Sequence, residues 1–342
     1  MTEDLQTRAG RYRPLIQREM REVIGTSSDG LYTWMRYHLG WEDIEGHAEQ
    51  ASGGKLMRPV AVLLASELCG SRAEQAVAAA AAVELVHNFS LLHDDVEDRS
   101  DFRRGRANLW TFAGVAQAIN TGDGMFSVAR LAAYRLLEAG IPAERVVATM
   151  REIDEACLRL VEGQYLDISF ESRIDVTQDE YWEMAAGKTA AMFAAPFAMG
   201  ATIAGAEPRV VEAFRRFGNH IGLAFQAVDD ILGIWGDSAL TGKPVGDDLL
   251  SRKMTCPVIA AIDTLGDASR LFRRAYEQPA RPGEDVSRLA ALVEETGARA
   301  LTQAMAEREE AAALQALLDG GVSSEAVALC TEFAHAAVVR VA

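Results

Sequence analysis

Residues 76–98 read AVAAAAAVELVHNFSLLHDDVED, a run that is apolar on nearly every helical face until it ends in acids. A helix that is hydrophobic all round is a central one, surrounded by other helices. Asp94 and Asp98 are four residues apart, so their carboxylates share one face, with Asp95 beside it. Acids at the carboxyl end of a helix oppose its dipole and repel one another, and a divalent cation offsets both costs. The stretch therefore predicts a central helix that ends in a cation site; solvated surface acids are the simpler alternative.

A second acid cluster repeats this spacing further along the chain. It consists of Gln226, Asp229, Asp230 and Gly233, again within an apolar sequence. Its fifth position is a glycine where an acid would complete the pattern. Asp237, one turn further on, could replace that acid only if the helix continues past Gly233 and the glycine three residues later.

The rest of the sequence predicts an all-α fold, because apolar residues recur every three or four positions and alternating β-branched runs are missing. Helices are expected over residues 4–24, 29–50, 55–69, 72–98, 115–139, 142–170, 177–204, 207–235, 251–265, 284–317 and 323–341. We expect one domain over residues 1–342, with N-terminal helices in 1–50, a motif-bearing core in 53–257 and C-terminal helices in 258–342.

Composition excludes some classes of function. The net charge of −16 argues against nucleic acid as a partner, because phosphates require a basic footprint. The N-terminus lacks a signal-peptide pattern, and the uncharged run from Thr189 to Ala206 is broken by Pro196 and two glycines, which favours a buried helix over a membrane span. The four cysteines show no paired spacing, so we expect a reduced, cytoplasmic protein.

Lysine is rare in this chain, and its positions are informative. Of 34 basic residues only four are lysines, Lys55, Lys188, Lys243 and Lys253, and each lies close to glycine or threonine. A compact ammonium group on a flexible stem suits phosphate oxygens. These lysines are therefore candidate phosphate ligands, with ordinary surface lysines as the alternative.

Arginines follow the first acid cluster directly. Arg103, Arg104 and Arg106 lie in a short turn around Gly105, where their guanidinium groups could bind phosphate in bidentate fashion. Alone, such a turn is usually a surface feature. Beside the acids it predicts the other half of a site for magnesium and a diphosphate.

In combination these motifs resemble the trans-isoprenyl diphosphate synthase (polyprenyl synthase) family, which includes farnesyl and geranylgeranyl diphosphate synthases. The resemblance extends from about Gly53 to Pro257 and rests on six ordered motifs. They are Gly-Gly-Lys-Leu-Met-Arg-Pro at 53–59, His87 to Arg106, Gly163-Gln164 with Asp167, Gly187-Lys188-Thr189, Ala224 to Asp230, and Gly242-Lys243-Pro244-Val245-Gly246. It implies an isoprenoid-synthase bundle around a cavity, with the two Asp-rich motifs on facing helices.

The resemblance also implies a role for each site residue. Three magnesium ions would be bound by Asp94, Asp98 and Asp229, with Asp95 and Asp230 in support. The allylic diphosphate would be held by Arg103, Lys188, Lys243 and Lys253. Isopentenyl diphosphate, which needs no metal, would be held by Lys55, Arg58, His87 and Arg104. Thr189 and Gln226 would face the allylic carbon. The alternative for His87 is an ordinary core histidine.

Product length in such enzymes depends on bulk beneath the first acid cluster. Here Phe89 and the small Ser90 precede Asp94 by five and four residues, a pattern that resembles geranylgeranyl diphosphate synthases, whereas two aromatics would indicate a farnesyl product. Phe89 could also be ordinary core.

The motifs leave two different functions open, a class I terpene cyclase and a regulatory subunit of a heteromeric synthase. A cyclase would need a single diphosphate site, and regulatory partners generally lack the first acid cluster. The resemblance implies a homodimer. The aromatic segment 31–41 could cap the site, join that interface or bind another protein.

Overall fold

The computed structural model of the chain describes residues 3–49, 54–237, 245–281 and 284–338. About 75% of the protein is helical and 2% is strand, which confirms the all-α prediction. The chain divides into two compact units, each built from separate stretches of sequence. One unit comprises Met1–Glu155 and Ala195–Arg215, and the other comprises Ala156–Ala194 and Arg216–Ala342.

The first unit is built around one central helix. Its elements are α1 (Leu5–Ile24), α2 (Gly30–His38), α3 (Met57–Leu68), α4 (Ala73–Glu97), β1 (Phe102–Arg103), β2 (Arg106–Ala107), α5 (Leu109–Ala113), α6 (Val115–Tyr134), the start of α7 (Ala143–Phe170), the end of α9 (Ala191–Ala204) and the start of α10 (Pro208–Trp235). Three of its helices, α7, α9 and α10, are shared with the other unit. Helix α4 packs against α1, α3 and α6, as an all-apolar surface requires.

Helix α4 is also the one helix in the described residues that is long and apolar enough to cross a membrane. Of its most apolar window, 83% is buried inside the protein, so its hydrophobicity is used for core packing. The uncharged run that begins at Thr189 is likewise buried as α9, where a Cβ on Gly200 would overlap the Val62 carbonyl oxygen of α3. The glycine lets the two helices cross with their backbones in contact.

The second unit has its own hydrophobic core, which includes Phe170, Tyr181, Phe272 and Val293. Besides the ends of α7 and α10 and the start of α9, its elements are α8 (Gln178–Ala185), a π-helix (Ala186–Ala190), α11 (Asp247–Leu250), α12 (Cys256–Asp263), α13 (Asp267–Tyr276), α14 (Ser287–Glu295), α15 (Ala298–Asp319) and α16 (Ser324–Val338).

Several predicted helix boundaries are wrong. The helix expected over 29–50 ends at His38, because the left-handed Gly40 (φ 75°) turns the chain into a bridge between Glu42 and Ala48. The helix expected over 284–317 is broken at Gly297, which has a φ of 77°. Helix α13 was missed altogether, because its arginines and small residues give only a narrow apolar face.

Candidate active site

The first acid cluster forms the last turn of α4 and its C-cap. Asp95 is 2% exposed, and its Oδ1 accepts from Arg103 through Nε at 2.8 Å and Nη2 at 2.7 Å. Its Oδ2 is buried without a hydrogen-bond partner in the described structure. Burial raises the pKa of this carboxyl group, although Arg103 opposes the shift. Asp95 therefore positions Arg103, while Asp94 and Asp98 lie on the more exposed face of the same turn.

The arginine turn predicted after this cluster is a β-hairpin with a two-residue loop. Residues Phe102–Arg103 pair with Arg106–Ala107, and Arg104 and Gly105 form the loop with φ values of 53° and 76°. Positive φ at both central positions matches the twist of a hairpin but is unfavourable for arginine. The turn brings the Arg104 guanidinium against the Gly54 backbone, where a Cβ would lie 2.9 Å from Nη2. The Arg104 guanidinium thus lies directly against the Gly54 backbone.

A second basic cluster lies within the same unit. Arg58 Nη1 lies 3.3 Å from His87 Nε2. Desolvation, Arg58 and Arg104 lower the pKa of His87 well below its usual value, so the neutral ring accepts the hydrogen bond. The structure thus brings Arg58, His87 and Arg104 together, and the exposed Lys55 precedes α3 by two residues.

A buried acid accompanies these cations. Glu84 is 6% exposed, and its Oε1 accepts from Asn88 Nδ2 at 3.0 Å. Burial raises the pKa of Glu84 to about 6, and the charges of Arg58 and Arg104 moderate the shift. Glu84 therefore provides a counter-charge inside the protein for guanidinium groups that would otherwise be desolvated alone.

The two acids of the second cluster differ in environment. Asp230 is 4% exposed and accepts from Tyr181 Oη at 2.7 Å, the Cys256 backbone N–H at 2.8 Å and Gln226 Nε2 at 2.8 Å. Burial raises its pKa to about 7, helped by the charge of Asp248. Asp229 is more exposed on α10. The sequence pattern does not distinguish the two acids. In the structure, Asp230 is the acid that joins α8, α10 and α12 through hydrogen bonds.

The glycine at the fifth position lies inside the helix. Helix α10 continues through Gly233 and ends at Trp235, and Asp237 follows it as an exposed residue. Asp237 could replace the missing acid only if the helix continued past residue 236, and it does not. A Cβ on Gly233 would overlap the carboxylate of Asp248, which is buried.

A π-helix carries two predicted site residues. Lys188 Nζ pairs with Asp167, and Thr189 Oγ1 donates to Gln226 Oε1 at 2.5 Å. A Cβ on Gly163 would overlap the Lys188 backbone nitrogen, so this glycine sets the closest approach of α7 to the π-helix. π-Bulges occur often at functional sites.

The two remaining predicted lysines follow α10 in the chain. Lys253, just before α12, is partly buried, and its backbone N–H donates to the Asp248 carbonyl at 3.0 Å. Lys243 lies outside the described residues.

The predicted chain-length residues lie on α4 beneath the acids. Phe89 is buried and meets Phe126 of α6 edge to face, with ring centroids 5.1 Å apart. Ser90 Oγ donates to the His87 carbonyl at 2.8 Å. The aromatic ring of Phe89 thus packs between α4 and α6.

The aromatic segment 31–41 is partly explained by packing within the first unit. Tyr37 Oη donates to the Ala107 carbonyl of the hairpin at 2.8 Å, and Arg106 stacks on the Tyr37 ring at 4.3 Å. Tyr37 therefore supports the arginine hairpin.

Comparison with known proteins assigns the family. The sequence model described as "Polyprenyl synthetase" matches residues 45–295. The chain belongs to this family. It is a prenyltransferase of the isoprenoid-synthase fold, as the resemblance implied.

Two relatives and one solved structure illustrate the match. A geranylgeranyl diphosphate synthase of Mycobacterium tuberculosis is 41% identical over 312 residues, which cover 91% of this chain and 88% of that protein. A (2E,6E)-farnesyl diphosphate synthase of Mycobacterium bovis is 40% identical over 331 residues, 95% of this chain and 90% of that protein. The crystal structure of a polyprenyl synthetase from Streptomyces coelicolor A3(2) has a TM-score of 0.91 at 37% identity and covers 98% of this chain and 100% of that one.

The family uses magnesium. In the first unit Asp94 and Asp98 offer the hard carboxylate oxygens that magnesium prefers, and in the second unit Asp229 offers the same kind of oxygen; their joint role stays a prediction. The unpartnered Asp95 Oδ2 adds a buried acceptor beside the first pair.

Three residues of the site were missed from the sequence. Glu84 could have been noticed as the lone acid in the apolar stretch 76–92, and Asp248 as part of a third Asp-Asp pair at 247–248. Tyr181 has no local signal, because its partner Asp230 is 49 residues away.

Proposed function

We propose that this chain condenses isopentenyl diphosphate with an allylic diphosphate and releases geranylgeranyl diphosphate as its main product. The observation that carries the proposal is that the first unit holds two sets of guanidinium groups, each oriented by a different partner. One is Arg103 with the acid cluster, and the other is Arg58 with His87 and Arg104. A condensing enzyme needs a place for each of two diphosphates, whereas a terpene cyclase needs only one.

The allylic diphosphate is assigned to the acid clusters. Asp94, Asp98 and Asp229 would hold three magnesium ions, and Arg103, Lys188, Lys243 and Lys253 would bind the remaining phosphate oxygens. Bound magnesium would neutralise the diphosphate and make it a better leaving group. Asp95 keeps the Arg103 guanidinium in place through two hydrogen bonds, so it is pre-organised for phosphate.

The developing allylic cation is assigned to Thr189 and Gln226. Asp230 accepts from Gln226 Nε2, which fixes the amide so that Oε1 accepts from the Thr189 hydroxyl. The two oxygens thereby present negative partial charge in a fixed place. After the allylic C–O bond ionises, the double bond of isopentenyl diphosphate forms the new C–C bond, and a proton passes to the released diphosphate.

Isopentenyl diphosphate is assigned to the basic cluster around His87. The neutral His87 accepts from Arg58 and so orients a guanidinium that can bind the diphosphate without metal. Arg104 and Lys55 would add charge from the hairpin and from the start of α3.

The twenty-carbon product is assigned from the bulk on α4. Phe89, backed by Phe126, supplies a single aromatic layer beneath the acids, while Ser90 is small. The geranylgeranyl synthase relative supports this assignment, and the farnesyl synthase relative supports the shorter alternative. We also infer a homodimer, which is supported by exposed apolar residues along α6, namely Val115, Ile119 and Leu131. A cytoplasmic location stays the prediction made from the cysteine spacing.

The proposal is tested by incubating the purified protein with magnesium, isopentenyl diphosphate and each allylic diphosphate of five, ten or fifteen carbons. We expect consumption of isopentenyl diphosphate with equal release of diphosphate, and loss of both with EDTA or in Asp94→Asn. Absence of elongation with every primer would reject the proposal. Release of diphosphate without isopentenyl diphosphate would favour a terpene cyclase.

A further inference from the structure

Arg252, the residue before Lys253, has an unusual backbone conformation. Its φ is 56°, in the left-handed region that is unfavourable for residues other than glycine. It follows the end of α11, and the next N–H, that of Lys253, turns back to donate to the Asp248 carbonyl at 3.0 Å. Strained backbone of this kind persists only where surrounding contacts hold it, and it is concentrated at functional sites. The chain therefore reaches Lys253 through a turn that needs support from the rest of the second unit.

The side chain of Arg252 supplies this support. All three of its nitrogens donate hydrogen bonds: Nε to the Gln278 carbonyl at 3.0 Å, Nη1 to the Leu249 carbonyl at 2.7 Å, and Nη2 to the Glu284 carboxylate at 2.8 and 3.1 Å. The side chain is only 14% exposed. Arginine suits such a role because its planar group offers several donors in fixed directions. The guanidinium thus ties its own turn to the chain that follows α13.

The last residue of α13 binds the same turn. Tyr276 is buried, its Oη donates to the Lys253 carbonyl at 2.6 Å, and the guanidinium carbon of Arg252 lies 5.4 Å from the centre of its ring. The backbone N–H of Lys253 is therefore bound by α11 and its carbonyl by α13. We call Arg252 with Tyr276, Gln278 and Glu284 the arginine clamp.

We propose that the arginine clamp positions Lys253 for the allylic diphosphate, and that Arg252 acts on the substrate only through Lys253. This rests on the proposed function, in which Lys253 binds that diphosphate. A lysine side chain is a flexible stem, so its backbone is the part that the fold can fix in advance. Fixing it reduces the entropy that is lost when the ammonium group binds phosphate. A purely structural clamp would change stability and leave substrate affinity unaltered.

A set of variants tests this positioning role. Arg252→Ala removes the clamp but keeps a side chain in left-handed backbone, whereas Arg252→Gly removes the clamp and relieves the backbone. Glu284→Ala releases one end of the guanidinium. Lys253→Ala removes the proposed ligand and is made with and without Arg252→Gly. Arg273→Ala is the matched control, because Arg273 is an arginine of α13 whose ion pair with Glu277 is exposed. Each variant is measured for kcat, for KM of farnesyl diphosphate and of isopentenyl diphosphate, and for melting temperature.

We expect Arg252→Ala and Arg252→Gly to raise KM for farnesyl diphosphate about ten-fold and to leave KM for isopentenyl diphosphate unchanged. Arg252→Gly should melt at a higher temperature than Arg252→Ala, because glycine tolerates the positive φ. Glu284→Ala should also raise KM for farnesyl diphosphate, whereas an Arg252 that contacted phosphate itself would gain freedom and bind it as well or better. Adding Arg252→Gly to Lys253→Ala should change this KM no further. Arg273→Ala should alter neither KM.

The proposal is overturned if Arg252→Gly keeps the wild-type KM for farnesyl diphosphate, since Arg252 would then be a structural residue. It is also overturned if the effects of Arg252→Gly and Lys253→Ala multiply in the double variant, since Arg252 would then act on substrate independently of Lys253. Failure of the proposed function has a different signature, because the wild-type protein would elongate no primer. Calorimetric binding of inorganic pyrophosphate with magnesium makes the same comparison of variants without turnover.

Discussion

Asp95, Asp230 and Glu84 are all buried acids, but each has different partners. Asp95 binds Arg103, Asp230 accepts from three donors, and Glu84 is under the influence of the charges of Arg58 and Arg104. Burial raises the pKa of each of them. Their partners give them positioning roles behind the residues that we assign to substrate.

The phenol of Tyr181 should matter to activity through Asp230. Tyr181→Phe keeps the buried ring but removes the donor to Asp230 Oδ2, which should cost about 1–3 kcal/mol of unfolding free energy. We expect a lower kcat with KM for isopentenyl diphosphate unchanged, since the loss reaches Gln226 through Asp230. Urea unfolding and steady-state kinetics measure both. Tyr134→Phe, at an exposed tyrosine, is the matched control and should change neither.

Glu84 should make stability depend on pH. Its pKa in the fold is about 6, above its ordinary value of 4.5, so the folded state holds its proton more tightly than the unfolded state. That contribution is fully present below pH 4.5 and is lost as pH rises through 6, on the order of 1–2 kcal/mol in all. Glu84→Gln should therefore flatten the fall in unfolding free energy across this window. An unchanged slope in denaturant titrations from pH 4.5 to 7 would contradict the assignment.

At the scale of single residues, the sequence groups the acids and cations into clusters but does not rank them within a cluster. Spacing placed Asp229 and Asp230 in one cluster, yet only the fold shows that Tyr181 and the Cys256 N–H are directed at the second acid. Such partners are remote in sequence, and helical periodicity carries no information about them.

At the scale of elements, the π-helix at Ala186–Ala190 carries two of the predicted site residues, Lys188 and Thr189. Gly163 and Gly187 let α7 and the π-helix touch through their backbones, which fixes the direction of Lys188 and Thr189. The glycine motifs could be read from the sequence, whereas the extra residue of the π-turn could not, because it is set by packing. Helix α13 was missed for a related reason: Phe272 and Tyr276 bury their rings in the core, while the rest of the helix is too polar to be recognised.

The glycine contact gives a test at this scale. Gly163→Ala should destabilise the protein and reduce turnover, since its Cβ would overlap the Lys188 backbone and displace Lys188 and Thr189. Gly10→Ala is the control, because Gly10 lies in α1 with open space around it. That change should stabilise the protein by about 0.5–1 kcal/mol through helix propensity. Equal effects of the two substitutions in thermal unfolding and turnover would show that the contact is unimportant.

At the scale of the whole molecule, composition and periodicity predicted the fold class, and the ordered motifs predicted the family, since both depend on patterns written locally in the chain. The contact between Gly233 and the Asp248 carboxylate could not be read, because it requires two separate parts of the chain to meet. The predicted arrangement of the two Asp-rich helices as facing elements stays a prediction, as does the single domain.

Product length is a property of the assembled enzyme. Phe89→Ala should lengthen the product by one or more five-carbon units, because it removes the ring that packs with Phe126 beneath the first acid cluster. Phe126→Ala should act in the same direction but less strongly, since that ring supports Phe89 from α6. Leu265→Ala, at an exposed position outside α4 and α6, should leave the product unchanged. An unaltered product from Phe89→Ala would mean that Phe89 is ordinary core.

We propose that this polyprenyl synthetase joins two diphosphates to make a geranylgeranyl chain. Mass spectrometry of the products formed by the purified protein from farnesyl diphosphate and isopentenyl diphosphate with magnesium tests this proposal. We expect a linear twenty-carbon diphosphate that contains one new isopentenyl unit. Recovery of unextended farnesyl diphosphate, or of a hydrocarbon without that unit, would contradict it.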